Sequence, residues 1–242
     1  MSRFFYGLSL QEIIDTLAYI LNIETSTKNC SVSIAKDGEI VALKEMNTGN
    51  YSHAEMLHPL IDELMKEVGL QFSEMNAIAV GKGPGSYTGL RIGVSAAKGL
   101  CFANDIPLIS INSLEVLANS LQVDQDGYII PMIDARRMEV YAAIFSYNLD
   151  YIRETKAEII NETSFSELLD DRKVYFLGDG AEKCKNVINH KNAIFIEGQF
   201  PSAKEMAILS YSKHKKNDIE DVAYFEPFYL KDFIVTSEKK KF

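Results

Sequence analysis

Apolar and polar residues along this chain follow two periods, which predicts strands interspersed with helices. Strand-like runs come first, at residues 20–24, 31–35 and 39–44, and Asp37-Gly38 between the last two is a hairpin-turn sequence. A stripe at helical spacing follows, ending at Gly69, where a helix C-terminus is expected. Its members are Met56, Leu57, Leu60, Ile61, Leu64, Met65 and Val68. We expect strands at 77–81 and 107–111 around a helix at 89–103, an alternation that favours an α/β sheet.

The second half of the chain repeats the pattern of the first. Residues 20–24 and 129–134 are apolar strands that end in a carboxylate, Glu24 or Asp134, and each returns after a short polar loop as a strand, at 31–35 or 139–145. The pattern predicts two ribonuclease-H-like lobes, the duplicated arrangement of the actin, sugar-kinase and Hsp70 superfamily; a chance echo is the alternative. We assign residues 1–19 to an extension, 20–106 and 107–231 to the two lobes, and 232–242 to a tail. Within the second lobe we expect helices at 113–121 and 202–214 and a strand at 173–177.

The amino-acid composition argues against several classes of function, among them direct binding of nucleic acid and membrane insertion. The 25 Lys and Arg residues against 34 Asp and Glu residues give a net charge of −9, so the chain alone should bind nucleic acid weakly. Cys30, Cys101 and Cys184 lack a CxxC pair and predict reduced, buried thiols. No apolar run reaches the roughly 20 residues that span a bilayer. Because Glu12 and Asp15 interrupt the apolar N-terminal region, we expect no signal peptide. Ser9 and Glu12 match a capping box, which predicts a short helix through Leu17. We expect a cytoplasmic protein without a membrane partner.

A glycine-dense loop, GKGPGSYTG at residues 81–89, joins a predicted strand to a predicted helix for which Thr88 is the expected N-cap. The loop lacks the Gly-Lys-Ser/Thr ending of a Walker A motif and the GxGxxG spacing of dinucleotide sites. We therefore favour a structural role, although a helix N-terminus can attract an anion. The candidate residual anion or nucleotide contacts are Thr25, Ser26, Gly83, Gly85, Ser86, Asp134 and Arg136.

The two carboxylate loops indicate a degenerate ATP site and no catalytic residue. The loop after Glu24 has no glycine, and the loop after Asp134 has Arg136 where close approach to a phosphate needs glycine. Arg136 either binds an anion or, as we favour, pairs with Asp134 or Glu139. His53 and His58 would lie about 500° apart around a helix, so their side chains diverge. No HExxH or GxSxG motif occurs. We therefore predict neither a metal nor another cofactor, and vestigial nucleotide binding is left open.

Several segments together closely resemble the TsaB (YeaZ-like) family. They are AIAVGKGPGSYTGLRIG (77–93), SHAEMLHPLI (52–61), NSLEVLA (112–118), IDARRMEVY (133–141) and EPFYLK (226–231). Chains of this family normally begin near Leu21, so residues 1–19 depart from its pattern, and His58 replaces a usually apolar residue.

The resemblance implies the non-catalytic dimerisation subunit of the bacterial machinery that makes threonylcarbamoyladenosine in tRNA. The implied partners are a TsaD-type transferase and a TsaE-type ATPase, with a homodimer when the chain is alone and tRNA contacted only through the complex. The helix at 56–68 and the helix after the glycine loop would form the interface. Its expected residues are Met56, Leu57, Leu60, Leu64, Gly89, Arg91, Gly93, Ala96 and Ala97. We accordingly expect Gly93→Arg or Leu57→Asp to leave the monomer folded and abolish complex formation.

Two other functions compete with this one. An ATP-dependent small-molecule kinase of the same superfamily would use Asp134 or Glu24 to hold metal and nucleotide. A glycoprotease-like peptidase is suggested by the early naming of the wider family. Binding of Mg-ATP would favour the kinase, and stoichiometric, tightly bound zinc would favour the peptidase.

Overall fold

The computed structural model describes residues 17–47, 53–123 and 126–230, which form two five-stranded sheets with helices. The elements are β1 (Tyr19–Glu24), β2 (Cys30–Lys36), β3 (Glu39–Met46), α1 (His53–Val68), a 3₁₀ turn (Phe72–Glu74), β4 (Ala77–Gly83), α2 (Tyr87–Asn104), β5 (Leu108–Asn112), α3 (Ser113–Ala118), β6 (Gly127–Asp134), β7 (Glu139–Ser146), β8 (Tyr151–Ile159), α4 (Ser166–Asp171), β9 (Lys173–Leu177), α5 (Ala181–Cys184), β10 (Ala193–Ile196) and α6 (Ala203–Lys215).

The two sheets have the same topology. The first has the order β3-β2-β1-β4-β5, and the second, read from its β8 edge, has the order β8-β7-β6-β9-β10. In each sheet the first three strands along the chain form an antiparallel meander. The last two strands run parallel to the first. The predicted α/β fold with two ribonuclease-H-like lobes is therefore confirmed, and the repeated strand pattern reflects a repeated topology.

Helices cover both faces of the first sheet. The apolar stripes of α1 and α2 pack on one face, where Leu57, Leu64 and Ala97 belong to the largest core cluster. On the opposite face α6 contributes Ala203 and Met206 to a second cluster. Because α6 follows the strands of the second sheet, the chain crosses back to the first lobe before it ends.

The predicted lobe boundary between residues 106 and 107 falls just before the last strand of the first sheet. Strand β5 pairs in parallel with β4, so the first sheet extends to Asn112. The segment after α6 also belongs with the first lobe. Glu220 bridges to Leu108, and Phe225 is buried in the first core. Sequence order could not reveal this return, since it depends on contacts between distant segments.

Local signals placed several element ends correctly. Asp37 and Gly38 both have positive φ, as their hairpin turn requires, and Gly69 has a φ of 70° directly after α1. The N-cap of α2 is Ser86 instead of the expected Thr88, because the Ser86 hydroxyl accepts from the Gly89 N–H at 3.3 Å. The predicted Ser9–Glu12 helix, the residues before Leu17 and the tail lie outside the described residues.

Strands β8 and β10 and helix α4 were not predicted from the sequence. Strand β8 lies at a sheet edge and is largely exposed, so alternating apolar residues do not mark it. Arg153 and Glu158 of this strand form an ion pair. Charged side chains of this kind protect a sheet edge from pairing with another chain.

The three cysteines are buried and free. Burial raises the pKa of Cys30 and Cys184 to about 11 and that of Cys101 to about 12. These thiols are therefore protonated and unreactive at neutral pH. As for the membrane, no helix within the described ranges combines the length and the hydropathy needed to cross a bilayer.

Candidate functional site

A cleft of about 1000 Å³ separates the two lobes. The first lobe lines it with Ser26, Lys28 and the glycine loop, and the second lobe lines it with the loop after β6 and the Gly178–Ala181 turn region. Aromatic residues of the returning C-terminal segment, Phe228 and Tyr229, complete one wall. The duplication thus places both carboxylate loops around one space that is large enough for a small-molecule ligand.

Glu24, at the end of β1, is fully buried beneath this cleft and does not line it. Its carboxylate accepts from the Ser26 N–H at 2.7 Å and from the Ser113 hydroxyl at 3.1 Å. Burial raises the pKa of this carboxyl above its ordinary value. The residue therefore ties the first loop to the start of α3 and is not placed to hold a metal in the cleft.

The backbone of the first loop and its Thr25 hydroxyl are hydrogen-bonded within the first lobe, whereas the buried Ser26 Oγ atom has no partner among the described residues. The Ser26 N–H goes to Glu24, the Ser26 carbonyl accepts from the Ser86 N–H at 2.7 Å, and the Thr25 hydroxyl donates to the Gly89 carbonyl at 2.8 Å. A phosphate would need such backbone N–H groups to point into the cleft. Of the predicted anion contacts, Thr25 and Gly83 are absent from the cleft lining. The other five, Ser26, Gly85, Ser86, Asp134 and Arg136, line it.

Glycines at four-residue spacing let β4, the glycine loop and α2 press against the first loop. A Cβ atom added at any of these positions would overlap Glu24, Thr25 or Ser26. The positions are Gly81, Gly85, Gly89 and Gly93. Close packing therefore accounts for these glycines without a ligand, which supports the structural interpretation of the loop.

The second carboxylate loop is occupied by side chains. Asp134 forms an ion pair with Lys183 and accepts from the Arg136 N–H at 2.9 Å. The expected side-chain pair between Arg136 and Asp134 or Glu139 does not form; α5 delivers Lys183 to Asp134 instead. Arg136 has a φ of 72°, lines the cleft, and makes no ion pair with any residue that the structure describes.

Asp179 completes the second half of the site. Its carboxylate accepts from the Asp134 N–H at 3.0 Å. Burial raises the pKa of Asp179; the hydrogen bond from the Asp134 N–H opposes this shift, and the negative charge of Asp134 adds to it. Asp134, Asp179, Lys183 and Arg136 thus lie together at the end of β6, where the sequence analysis had singled out Asp134 and Arg136.

The two histidines of α1 diverge, as their spacing predicts. His53 is buried, and its Nε2 atom lies 2.7 Å from the Thr27 carbonyl oxygen. Burial lowers its pKa, so it is neutral at pH 7. His58 is exposed. Within the described ranges, no three His, Cys, Asp or Glu side chains converge as metal ligands would.

A second concave surface, the helix-pair groove, lies on the outside of α1 and α2 and encloses about 690 Å³. It is lined by Ala54, His58, Tyr87, Thr88, Arg91, Ile92, Ser95, Ala96, Gly99 and Leu100. At one end the Arg91 guanidinium donates to the Tyr87 hydroxyl at 3.0 Å, and the Tyr87 ring packs on Tyr229 with centroids 5.2 Å apart. The groove is mostly apolar and has one rigid aromatic end.

Of the nine expected interface residues, the structure places two in the lining of the helix-pair groove. Arg91 and the largely buried Ala96 line the helix-pair groove, whereas Met56 is half-buried and is not part of the lining. The other six are buried inside the monomer and cannot touch a partner in this structure: Leu57, Leu60, Leu64, Gly89, Gly93 and Ala97. The apolar stripe of each helix faces its own sheet. The sequence revealed the stripe but not what it packs against.

The expected interface set left out the outer stripe of α2. Thr88, Ile92, Ser95, Gly99 and Phe102 recur at helical spacing on the outer side of α2, and Phe102 is 86% exposed. A Cβ atom at Gly99 would contact nothing within 4 Å. Small residues opposite the apolar stripe are the signal that could have identified this surface.

The family model described as TsaD, tRNA N6-adenosine threonylcarbamoyltransferase, matches residues 48–238. The TsaB protein of Bacillus subtilis is 30% identical over 220 residues, which cover 88% of this chain and 93% of that protein. The TsaB protein of Escherichia coli is 28% identical and covers 88% and 94%. The Haemophilus influenzae TsaB is 37% identical over 123 residues, which span 51% of its length. Both full-length alignments thus join this chain to proteins named for tRNA threonylcarbamoyladenosine biosynthesis.

A solved structure shows the same fold, and the transferases match a smaller share of the chain. YeaZ from Pseudomonas aeruginosa has the same fold, with a TM-score of 0.73 and 23% identity over 88% of this chain and 100% of that one. The transferase of Geobacillus thermodenitrificans is 30% identical, but the alignment covers only 48% of this chain and 39% of the transferase. Within the wider group that the family model represents, this chain therefore belongs to the TsaB (YeaZ) family.

Proposed function

We propose that this chain is a non-catalytic subunit of the machinery that forms threonylcarbamoyladenosine in tRNA, and that it binds a TsaD-type transferase through the helix-pair groove. The observation that carries the proposal is Gly99. A glycine within an exposed helix costs about 1 kcal/mol relative to alanine. The monomer has room for a side chain at this position, so packing inside the monomer does not require glycine. Close approach by another polypeptide would require a glycine at this position.

The groove has the character of a binding surface. Its small residues, Ser95, Ala96 and Gly99, lie between Ile92 and the half-buried Leu100. A helix of the partner can approach such a surface closely, with apolar contacts at its borders. Arg91 and Tyr87, held by their hydrogen bond, are residue types that often dominate interface energies.

The interlobe cleft supports the non-catalytic part of the proposal. Glu24 is fully buried beneath the cleft, and Asp134 forms an ion pair with Lys183. The Ser26 N–H donates to Glu24, and the Ser86 N–H donates to the Ser26 carbonyl. A kinase would need these groups free for metal and phosphate. The peptidase alternative finds no cluster of metal ligands among the described residues to support it.

Net charge supports a division of labour within the complex. At −9, the chain repels a phosphate backbone, so tRNA would be held mainly by the transferase. A TsaE-type ATPase would join the assembly of the two subunits. In the absence of the transferase, the same groove would pair with itself in a symmetric homodimer.

The test introduces an arginine at Gly99 and, as a matched control, at the exposed Ser212 on α6. We expect Gly99→Arg to keep the thermal unfolding midpoint and to weaken transferase binding about 30-fold or more, a loss typical of an interface hot spot. Ser212→Arg should bind normally. Reconstituted tRNA modification should fail with Gly99→Arg and proceed with the control.

Two results would contradict the proposal. If Gly99→Arg co-purified with the transferase as well as the control does, the groove would not be the interface. If the isolated chain bound Mg-ATP saturably and Asp134→Asn abolished the binding, the cleft would be a working nucleotide site and the kinase would be the better assignment.

A further inference from the structure

The interlobe cleft contains two cationic side chains that the protein leaves without an ion-pair partner. Lys28 lines the cleft from the first lobe, and Arg136 lines it from the second. Both residues are exposed, and neither forms an ion pair with a residue that the structure describes. Each lobe therefore contributes one positive charge that is available to a ligand.

Two carboxylates in the cleft are also available. Four acidic residues line it, and lysine side chains form ion pairs with two of them, Asp134 and Glu197. The third, Asp179, accepts from the Asp134 N–H through Oδ1, and no described residue donates to its Oδ2 atom. The fourth, Glu182, is exposed and forms no ion pair within the described ranges. The unpaired groups of the cleft are thus two cations and two carboxylates.

These groups are close to one another. The Arg136 N–H donates to the Asp134 carboxylate at 2.9 Å, and the Asp134 N–H donates to Asp179 at 3.0 Å. Burial raises the pKa of Asp179, and the positive charge of Lys28 opposes that rise, so Lys28 acts on the second lobe from across the cleft. Glu182 lies on α5, which begins two residues after Asp179. Charges of both signs therefore share one region of the cleft.

The balance of charge decides which class of ligand the cleft suits. A polyanion such as ATP would be repelled by Asp179 and Glu182 and by a chain whose net charge is −9. A simple cation would be repelled by Lys28 and Arg136. A zwitterion presents one group of each sign, so each of its charges can lie beside an opposite charge of the cleft.

Aromatic side chains supply an apolar surface next to these charges. Phe228 and Tyr229 form one wall, and the Tyr229 ring packs on Tyr87 with centroids 5.2 Å apart. Phe195 and Phe200 line the cleft from the second lobe. A cavity of about 1000 Å³ lies at the upper end of the range of roughly 300–1,000 Å³ that small-molecule sites occupy. The ligand that fits this lining has a large apolar group as well as its two charges.

We propose that the interlobe cleft binds a zwitterionic small molecule with an apolar body, of the chemical class of an aromatic α-amino acid. Arg136 and Lys28 hold its carboxylate, for which a guanidinium is suited by its paired N–H donors. Glu182 and the Oδ2 atom of Asp179 accept from its ammonium group, and its ring packs on the aromatic walls. The proposal goes beyond the proposed function and does not rest on it, because the isolated chain contains every group that the site uses.

Ligand-observed NMR on the isolated full chain, with L-phenylalanine as the probe, tests the site. We expect saturable binding with a Kd of about 1 mM or tighter. Two analogues lack one charge each: 3-phenylpropanoate has no ammonium group, and phenethylamine has no carboxylate. Each should bind about tenfold or more weakly than L-phenylalanine, because one charged group of the cleft then loses its partner. Mg-ATP should not displace the probe.

A pair of neighbouring arginines provides the matched variants. Arg136→Met should weaken binding of L-phenylalanine about tenfold or more, and Lys28→Met should have a similar effect. Arg137→Met is the control, because Arg137 is also exposed and also has positive φ but does not line the cleft. It should bind like the wild type. All three variants change exposed side chains and should keep the wild-type thermal unfolding midpoint.

Four results would overturn the proposal. They are no saturable binding of L-phenylalanine up to about 10 mM, tenfold above the expected Kd; equal binding of either analogue; displacement of the probe by Mg-ATP; and an equal loss of affinity in the Arg137→Met control. None of the first, second or fourth results would change the transferase affinity of Gly99→Arg, so a failure of the cleft site is distinguishable from a failure of the proposed interface.

Discussion

The two faces of α2 carry similar small residues for different reasons. On the inner face, Gly89 and Gly93 lie against the first loop, where an added Cβ atom would collide with Thr25. On the outer face, Gly99 has open space around it, and Ser95 is exposed. The monomer therefore requires the inner glycines, while only a contact outside the monomer gives a reason for the outer one.

This difference changes how a glycine-rich helix is interpreted. A sequence of small residues suggests close packing but does not say against what. In this protein one helix packs closely twice, inward against its own loop and, in our proposal, outward against a transferase. Substitutions on the two faces should consequently separate folding from binding.

The largest expected effect belongs to the inner face. Gly93→Arg would force a side chain into the space of the buried Thr25, and we expect a loss of more than about 4 kcal/mol in the free energy of unfolding, or no folded protein. Urea unfolding monitored by circular dichroism measures the loss. Gly99→Arg, the same substitution on the outer face, should unfold near the wild-type midpoint. Equal stability of the two variants would remove the distinction between the faces.

Leu57→Ala tests whether the apolar stripe of α1 is core. Leu57 is fully buried in the first core cluster, so its truncation should lower the free energy of unfolding by about 2–5 kcal/mol. The exposed Glu63→Ala on the same helix should change it by less than about 0.5 kcal/mol. Transferase affinity of the folded Leu57→Ala protein should stay at the wild-type value. A selective loss of affinity, with stability retained, would return Leu57 to the interface.

The third prediction concerns Glu24, which lies in the loop under the inner face. Its pKa in the folded protein is raised, so between about pH 4.3, the ordinary glutamate value, and that raised pKa only the unfolded chain loses the proton. Unfolding then releases a proton, and the contribution of Glu24 to stability falls as pH rises, by up to about 1.4 kcal/mol per pH unit.

Comparing wild-type protein with Glu24→Gln isolates this effect. Urea unfolding from about pH 4 to about pH 7 should show the wild-type free energy declining relative to that of the variant. Glu115, Asp179 and Glu205, whose pKa values burial also raises, are present in both chains and cancel in the difference. Parallel curves would show that Glu24 titrates as an ordinary exposed carboxyl does.

The smallest expected effect is the most specific to the outer face. Gly99→Ala should raise the free energy of unfolding by about 1 kcal/mol, because alanine favours the helix and its Cβ meets nothing. The same methyl group should weaken transferase binding. Ser212→Ala on α6 is the control, with a smaller gain in stability and no change in affinity. If Gly99→Ala strengthened both folding and binding, the partner would not approach α2 at this position.

Much of the candidate site could be predicted from the sequence. The two carboxylate loops have no glycine after Glu24 and have Arg136 after Asp134, which predicted a poor phosphate site. The structure shows the loop amides hydrogen-bonded within the protein. The glycine loop and its neighbouring motifs led to the family. Local sequence can carry such information because turns, caps and phosphate loops depend on residues a few positions apart.

The sequence by itself determined the repeated strand pattern, the helix stripes and the family. Tertiary structure alone decided that Lys183, 49 residues away, neutralises Asp134. It also decided that α6 returns to cover the first sheet and that the apolar stripe of α1 faces inward. The physical reason is that periodicity specifies which residues share a face, whereas the surface that covers that face is assembled from segments distant in the chain.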